Sequence, residues 1–263
     1  MKTTKPYKFQ KQGIKQVDRF NGRALIGDEM GLGKSLQSLV WTKRNKAWPC
    51  VIVCPASLKY NWEREALKHI NKRAMILESR TPIDWGFMPP KIAIINYDIL
   101  KWWLPQLIDL DPETLIFDEG QYIKNRNTQR FKNVKKLAEG CRNVLGLSGT
   151  PIENAPAEIW PLLHVIRPDK YKTFRKFGDE FCGPKATPWG IEYKGATKTK
   201  KLNKQLRKRL LIRRRNKDVL EDLPDKTRSI QPLPATPSIR KEYEKAKNDL
   251  IKWLIQKDQH EKA

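Results

Sequence analysis

The sequence predicts an α/β fold in which a parallel sheet is flanked by helices. Three features point there: short apolar runs recur along the first 165 positions, helix-patterned segments separate them, and a glycine-rich turn joins the first run to the first long helical segment. Continuous apolar runs suit strands buried on both faces, as in a parallel sheet covered by helices.

The runs are Ala24-Leu25-Ile26, Val51-Ile52-Val53-Cys54, Ile92-Ala93-Ile94-Ile95, Leu115-Ile116-Phe117 and Val144-Leu145-Gly146-Leu147. Between them, residues 35–46 carry Leu36, Leu39 and Val40 on one side of a helix, and residues 60–69 carry Trp62 and Leu67. From about Pro168 the chain turns aromatic and basic, with Tyr171, Phe174, Phe177 and Phe181, and then Gly/Pro-punctuated over 183–195. This predicts a helical insertion ending in a loop. A basic helix is expected over 202–214, then a break at Leu223-Pro224 and an extended connector through Pro232, Pro234 and Pro237. A last helix is predicted to start at Ser238 as N-cap, with Ile239, Tyr243, Ala246, Leu250, Trp253 and Leu254 at helical spacing. The division expected is a lobe over 1–165, a helical insertion over 166–210, and a basic linker with a helix over 211–263.

Of 263 residues, 39% are hydrophobic and 31% charged, so a core is affordable under an ionic surface. No apolar run approaches the roughly 18 residues needed to cross a bilayer, and the first nine residues lack a signal-peptide core. A soluble intracellular protein is expected, in cytoplasm, nucleoid or nucleus, without a membrane partner. Four cysteines show no C-x-x-C spacing and three histidines are scattered, which predicts reduced thiols and no structural metal. The 53 basic residues outweigh 29 acidic ones to give +24, and residues 198–217 hold eleven basic groups and no acid. A polyanion is the partner this favours, DNA or RNA ahead of anionic lipid.

The sharpest motif is Gly27-Asp28-Glu29-Met30-Gly31-Leu32-Gly33-Lys34-Ser35, placed after a predicted strand and before a predicted helix. Gly31 and Gly33 would let backbone N–H groups curl around phosphates, Lys34 would neutralise γ-oxygens, and Ser35 would ligate Mg2+. Asp28 stands where the strict G-x-x-x-x-G-K-[ST] pattern has its first glycine. The second motif ends the Leu115-Ile116-Phe117 strand with Asp118 and Glu119, where a parallel sheet presents catalytic groups. Asp118 would hold the metal and Glu119 orient the attacking water.

Taken in order, these motifs resemble the SWI/SNF-type ATPases, the DNA-translocating branch of superfamily-two helicases. Phe9-Gln10 with Gly13 resembles a motif whose glutamine reads adenine, and residues 28–35, DEMGLGKS, nearly reproduce the family's phosphate loop. Pro55-Ala56-Ser57-Leu58-Lys59 with Asn61-Trp62, Asn96-Tyr97 and Lys124-Asn125 are similar to elements that touch the tracked strand. Residues 147–154, LSGTPIEN, are similar to the motif that couples nucleotide state to DNA grip through Ser148 and Thr150, and Arg213-Arg214 fall in a further family element. The strings CPASLKYNW and LSGTPIENAPAEIW stand nearest the annealing-helicase, HepA-related branch.

The resemblance implies a RecA-like P-loop NTPase lobe that binds ATP and Mg2+, with Lys34, Asp118, Glu119 and Gln121 as catalytic groups. It implies Ser57, Lys59, Asn61, Asn96, Tyr97, Lys124, Asn125, Arg213 and Arg214 as contacts to double-stranded or branched DNA. It also implies a second RecA-like lobe, in cis or trans beyond Ala263, without which hydrolysis is expected to be poor. Two positions depart from the family pattern. Gln121 replaces a histidine, keeping hydrogen bonding but not protonation, and Asn216 replaces a lysine. The competing expectation is a nucleic-acid-binding module that uses the nucleotide as a switch, without turnover.

Overall fold

A computed structural model of the protein describes residues 4–151, 155–188, 190–219 and 236–260. Ile152, Glu153 and Asn154 of the SGTP motif, the Leu223-Pro224 break with Pro232 and Pro234, and the side chains of Trp253 and Leu254 lie outside the described residues. Met1–Glu221 is one compact unit and Asp222–Ala263 a second.

The first unit begins with α1 (Lys8–Arg19), β1 (Arg23–Ile26), α2 (Lys34–Arg44), β2 (Cys50–Cys54) and α3 (Lys59–Ile70). It continues with β3 (Met75–Ile76), β4 (Ile92–Asn96), α4 (Leu100–Asp109), β5 (Thr114–Phe117), α5 (Gln129–Gly140), β6 (Asn143–Leu147) and α6 (Trp160–Ile166). After these come α7 (Phe174–Phe181), the antiparallel hairpin β7 (Lys185–Thr187) and β8 (Gly190–Glu192), α8 (Thr199–Arg209), β9 (Leu211–Ile212) and α9 (Asn216–Val219). Seven parallel strands form one sheet in the order β3-β4-β2-β5-β6-β1-β9.

Alternate residues of each strand feed opposite faces. Ala24, Ile26, Ile52, Ile94, Ile116 and Leu145 join a core with Val17, Leu39, Trp62 and Ile70 of α1, α2 and α3. Leu25, Val51, Val53, Ile95, Leu115 and Phe117 join the other core, with Trp103, Val134, Leu163 and Phe177. Each fully buried aliphatic side chain contributes about 1.5–3 kcal/mol, and both faces are covered, so the runs need no polar alternation. Burial also pushes the Cys54 and Cys141 thiols up to about 12, which keeps both protonated.

Four expectations change. The basic helix ends at Arg209, and Leu211–Ile212 pairs in parallel with Leu25 and Ile26 as the seventh strand. The edge of β1 otherwise leaves N–H groups open; here Leu25 and Gly27 donate to the carbonyls of Leu210 and Ile212 at 2.8 and 2.7 Å. The segment expected to begin a linker therefore belongs to the lobe. Leu67 is 40% exposed, since Trp62, Ala66 and Ile70 already fill the inner stripe of α3. The 183–195 stretch forms a hairpin rather than a plain loop. In the second unit, α10 (Pro237–His260) begins one residue before the expected cap, and Ile239, Tyr243 and Leu250 are exposed.

Candidate nucleotide site

Three chain segments leave neighbouring strands side by side at the sheet's carboxyl edge. Register pairs Ile26 with Leu147 and Phe117 with Gly146, so residues 27, 148 and 118 emerge within two strand spacings, roughly 10 Å. Gly31 and Gly33 have left-handed backbone, φ 85° and 73°, a conformation that costs an L side chain about 1–2 kcal/mol. A Cβ on Gly33 would stand 2.5 Å from Nε2 of Gln10. Helix α2 starts at Lys34, so its first N–H groups, which lack intrahelical partners, lie beside the loop. Lys34 Nζ donates to the Asp28 carbonyl at 3.1 Å, and Ser35 is half-buried next to it.

Gln10 is buried, with Nε2 donating to the Leu32 carbonyl at 3.1 Å and Oε1 accepting the Tyr7 N–H at 2.9 Å. A primary amide carries two N–H donors and two lone pairs. One of each remains, while the used N–H fastens α1 to the glycine loop and the used lone pair caps the start of α1 at Tyr7.

Asp118 is 8% exposed. Its carboxylate accepts the Trp62 indole N–H at 2.9 Å and the Glu119 N–H at 2.8 Å, and the Tyr97 hydroxyl donates to its carbonyl. Burial pushes the carboxyl above the ordinary aspartate range, against the two hydrogen bonds and the Lys34 ammonium, which favour the anion. Lys34 and Asp118 thus share one electrostatic neighbourhood, and a Cβ on Gly149 would lie 3.7 Å from Lys34 Nζ. Sequence reading placed Trp62 in the core and missed its bond to Asp118. Only the Asn61-Trp62 motif could have signalled it, because the partners lie 56 residues apart.

The raised carboxyl has a consequence for stability. The folded state holds the Asp118 proton to higher pH than the unfolded chain does, so its contribution falls as pH rises from the ordinary range through the folded value. Asp118→Asn removes the titrating group and keeps an acceptor for only one of the Trp62 and Glu119 N–H donors; in thermal unfolding without nucleotide, the Tm of the wild type relative to this variant is expected to fall as pH rises through the raised carboxyl range. A difference that grows with pH would show that the anion is net stabilising.

Glu119 takes a left-handed backbone at φ 49°, strain of the kind stored at working sites. Gln121 Nε2 donates to Glu119 Oε2 at 2.8 Å, Ser148 Oγ donates to Gln121 Oε1 at 3.1 Å, and the Thr150 N–H donates to Ser148 Oγ at 3.2 Å. A single hydrogen-bonded chain therefore runs from the SGT segment to the carboxylate, and the neutral amide of Gln121 is its middle link.

Residues 10–263 match the family profile described as the SNF2-related domain. The chain belongs to the SNF2-related family. It is 32% identical over 261 residues to a Caenorhabditis elegans homolog of the SWI/SNF-related matrix-associated actin-dependent regulator of chromatin subfamily A-like protein 1, covering 97% of this chain and 38% of that protein. It is 30% identical to the human DNA annealing helicase and endonuclease ZRANB3, covering 89% of this chain and 23% of that protein. Among solved structures it is similar to the Sulfolobus solfataricus SWI2/SNF2 ATPase core in complex with dsDNA, at 27% identity and a TM-score of 0.66 over 85% of this chain and 49% of that one. The ATPase core domain from the same organism gives 28% identity and a TM-score of 0.64, over 84% of this chain and 47% of that one. The chain thus spans less than half the length of each.

In this SNF2-related lobe the residues expected at nucleic acid divide by exposure. Ser57, on the short 3-10 turn Ala56–Leu58, Asn61 at the start of α3, and Asn125 are exposed. Lys124 lies 3.7 Å from Glu158. Lys59 is 7% exposed with Nζ donating to the Leu77 carbonyl at 3.1 Å, and Asn96 and Tyr97 are also buried. These three serve the interior, since a buried polar group must find its partners inside; Tyr97 also stacks on Tyr122 at 5.3 Å between ring centroids.

Arg213 and Arg214 require the clearest correction. Arg213 Nη1 donates to the carbonyls of Gly27 and Gly149, and Arg214 pairs with Asp28, whose side chain is fully buried. Pairing of β9 with β1 brings both guanidinium groups to the glycine loop, so the Nε, Nη1 and Nη2 of Arg214 and the Nη1 of Arg213 are bonded inside the lobe.

Proposed function

We propose that this chain is the ATP-binding lobe of a motor that hydrolyses ATP and moves along double-stranded DNA when a second RecA-like lobe closes on it. One observation supports this above all: Lys34, Asp118, Glu119 and the Ser148-to-Thr150 segment meet at the ends of three adjacent strands. The donor set suits ATP with Mg2+. Two left-handed glycines, a helix start and an ammonium suit a triphosphate, and oxygen donors, the Ser35 hydroxyl at the start of α2 and the Asp118 carboxylate at the end of β5, suit a hard divalent ion. Ser35 and Asp118 would hold the ion, which neutralises phosphate charge when bound. Glu119 would orient and deprotonate the attacking water, steadied by Gln121. The free N–H and lone pair of Gln10 suit the adenine edge.

The names of the solved core with dsDNA and of the annealing helicase support DNA as the track, and sites of DNA as the cellular location. Ser57, Asn61 and Asn125 are the exposed candidates for its backbone. The basic stretch adds α8, where Leu202 and Leu206 are buried and Lys200, Lys204 and Lys208 are exposed on the opposite side. Successive lysines are about 6 Å apart along the axis. Lys201, off this stripe, is paired with Glu180 at 2.6 Å.

Reversing the three lysines to glutamate is expected to weaken DNA binding and to reduce the slope of log affinity against log salt by about 2.7, roughly 0.9 for each phosphate no longer neutralised. An unchanged slope in a salt titration would make the stripe a solvated face. The decisive experiment is ATP hydrolysis with and without duplex DNA, with the second lobe added in trans. Stimulation is expected; nucleotide-dependent DNA binding without turnover in every combination would assign a switch instead of a motor.

A further inference from the structure

Arg214 reaches five groups on three segments that are far apart in sequence. Its N–H and Nε donate to Asp28 Oδ1 at 2.9 and 3.0 Å, and Nη2 donates to Asp28 Oδ2 and, at 2.6 Å, to Gln37 Oε1. Nη1 donates to the Phe9 carbonyl, and the guanidinium lies over the Phe9 ring, 5.4 Å from its centroid. The side chain is only 15% exposed. A Cβ on Gly13 would collide with Arg214 Nη2 and Gln37 Oε1, so α1 leaves a notch where the guanidinium sits.

Backbone continues the attachment on both sides. The Gly27 N–H donates to the Ile212 carbonyl at 2.7 Å, the Glu29 N–H to the Arg214 carbonyl at 3.1 Å, and the Asn216 N–H to Glu29 Oε2 at 2.8 Å. Arg213 adds the Gly27 and Gly149 carbonyls, the latter at 2.9 Å. Residues 211–216 are therefore a strap laid along residues 25–29, the entry to the glycine loop, and Asp28, the residue out of step with the strict glycine pattern, is its main anchor.

We infer that Arg214 is a positioning residue for nucleotide binding: it holds residues 27–29 through Asp28, so that occupancy of the phosphate loop and seating of the 211–216 strap depend on each other. Gln37, in the second turn of α2, accepts from Arg214 while donating to Asp28 Oδ2 at 3.0 Å. The guanidinium thus ties the loop to the helix that follows it. Arg suits this place because its planar fork supplies several fixed donors, which a lysine ammonium cannot reproduce. The strap runs into α9 and toward the end of the first unit, so the segment that reads the loop is also the covalent exit from the lobe. Coupling between two sites is reciprocal.

The test, which rests on the ATP reading above, compares the chain with Arg214→Lys and Arg213→Lys. Nucleotide affinity is measured by equilibrium binding of a fluorescent ATP analogue, and backbone exposure by amide hydrogen exchange. Arg214→Lys is expected to weaken the analogue roughly tenfold or more, within the 5- to 150-fold range of coupled sites, and to leave DNA affinity without nucleotide unchanged. Without nucleotide it should speed exchange at Gly27 and Glu29; with nucleotide, residues 211–216 should become slower in the wild type only. Arg213→Lys, which spares Asp28, keeps the question answerable if Arg214→Lys does not fold, and should give the same pattern more weakly.

Unchanged analogue affinity, or a DNA affinity that falls without nucleotide present, would overturn the inference and return the arginines to packing or to a DNA surface. If the wild type binds no analogue, the ATP reading fails; slow exchange at Gly27 and Glu29 that depends on Arg214 would then still establish the strap, and its absence would remove that too.

Discussion

Lys34→Ala is expected to abolish ATP binding while leaving the fold intact. Among the described residues the ammonium makes one hydrogen bond, to the Asp28 carbonyl, and is half-buried, so its removal takes little from the core. A bound triphosphate would receive its charge-assisted hydrogen bonds, worth about 1.5–3 kcal/mol each, in a loop where the remaining donors are uncharged N–H groups. Losing two of them weakens binding by roughly a hundredfold or more. Calorimetric titration with Mg-ATP checks the affinity and thermal unfolding checks the fold. Unchanged affinity in a folded variant would mean that the Gly31–Lys34 turn is a glycine-rich strand-to-helix connection with no nucleotide on it.

Glu119→Gln should separate binding from turnover. Its carboxylate neighbours Asp118, the residue proposed to hold the metal, and Gln121 presents one Oε by hydrogen bonding to the other. Exchanging carboxylate for amide keeps the shape and removes the proton acceptor, and a positioned general base contributes about 10^2–10^4 in rate. ATP affinity is therefore expected to stay within about threefold, while DNA-stimulated hydrolysis, measured with the second lobe present, falls by roughly that factor. Equal loss of affinity and turnover would place Glu119 among the groups that hold the nucleotide. Retained hydrolysis would move the base elsewhere.

Much of this site is written in short strings. The phosphate loop, the acidic pair and the SGT segment are each local, and each follows a strand whose apolar run is itself legible, because a strand buried on both faces needs no partner-dependent alternation. The strap was not legible. Arg213 and Arg214 read as a continuation of a basic helix, since eleven cations without an acid over 198–217 give no hint that two of them turn inward. Leu211 and Ile212 are too short a run to announce a strand, and they become one only because β1 has an open edge. Lys59, Asn96 and Tyr97 illustrate the same limit: polar residues at element ends look like surface until packing shows which of them are closed in.

Sequence alone determined the parallel sheet, the order of its main strands along the chain, the places of the glycine turn and the carboxylates at strand ends, and the cationic excess. These depend on periodicity, side-chain type and neighbours within a few positions. Tertiary structure alone decided that Trp62 bonds Asp118, that Gln121 joins Ser148 to Glu119, and that Arg214 closes on Asp28 across 186 positions. The physical reason is that a hydrogen bond or ion pair is settled within about 3 Å, and no local pattern specifies which distant side chains the sheet register will bring that close.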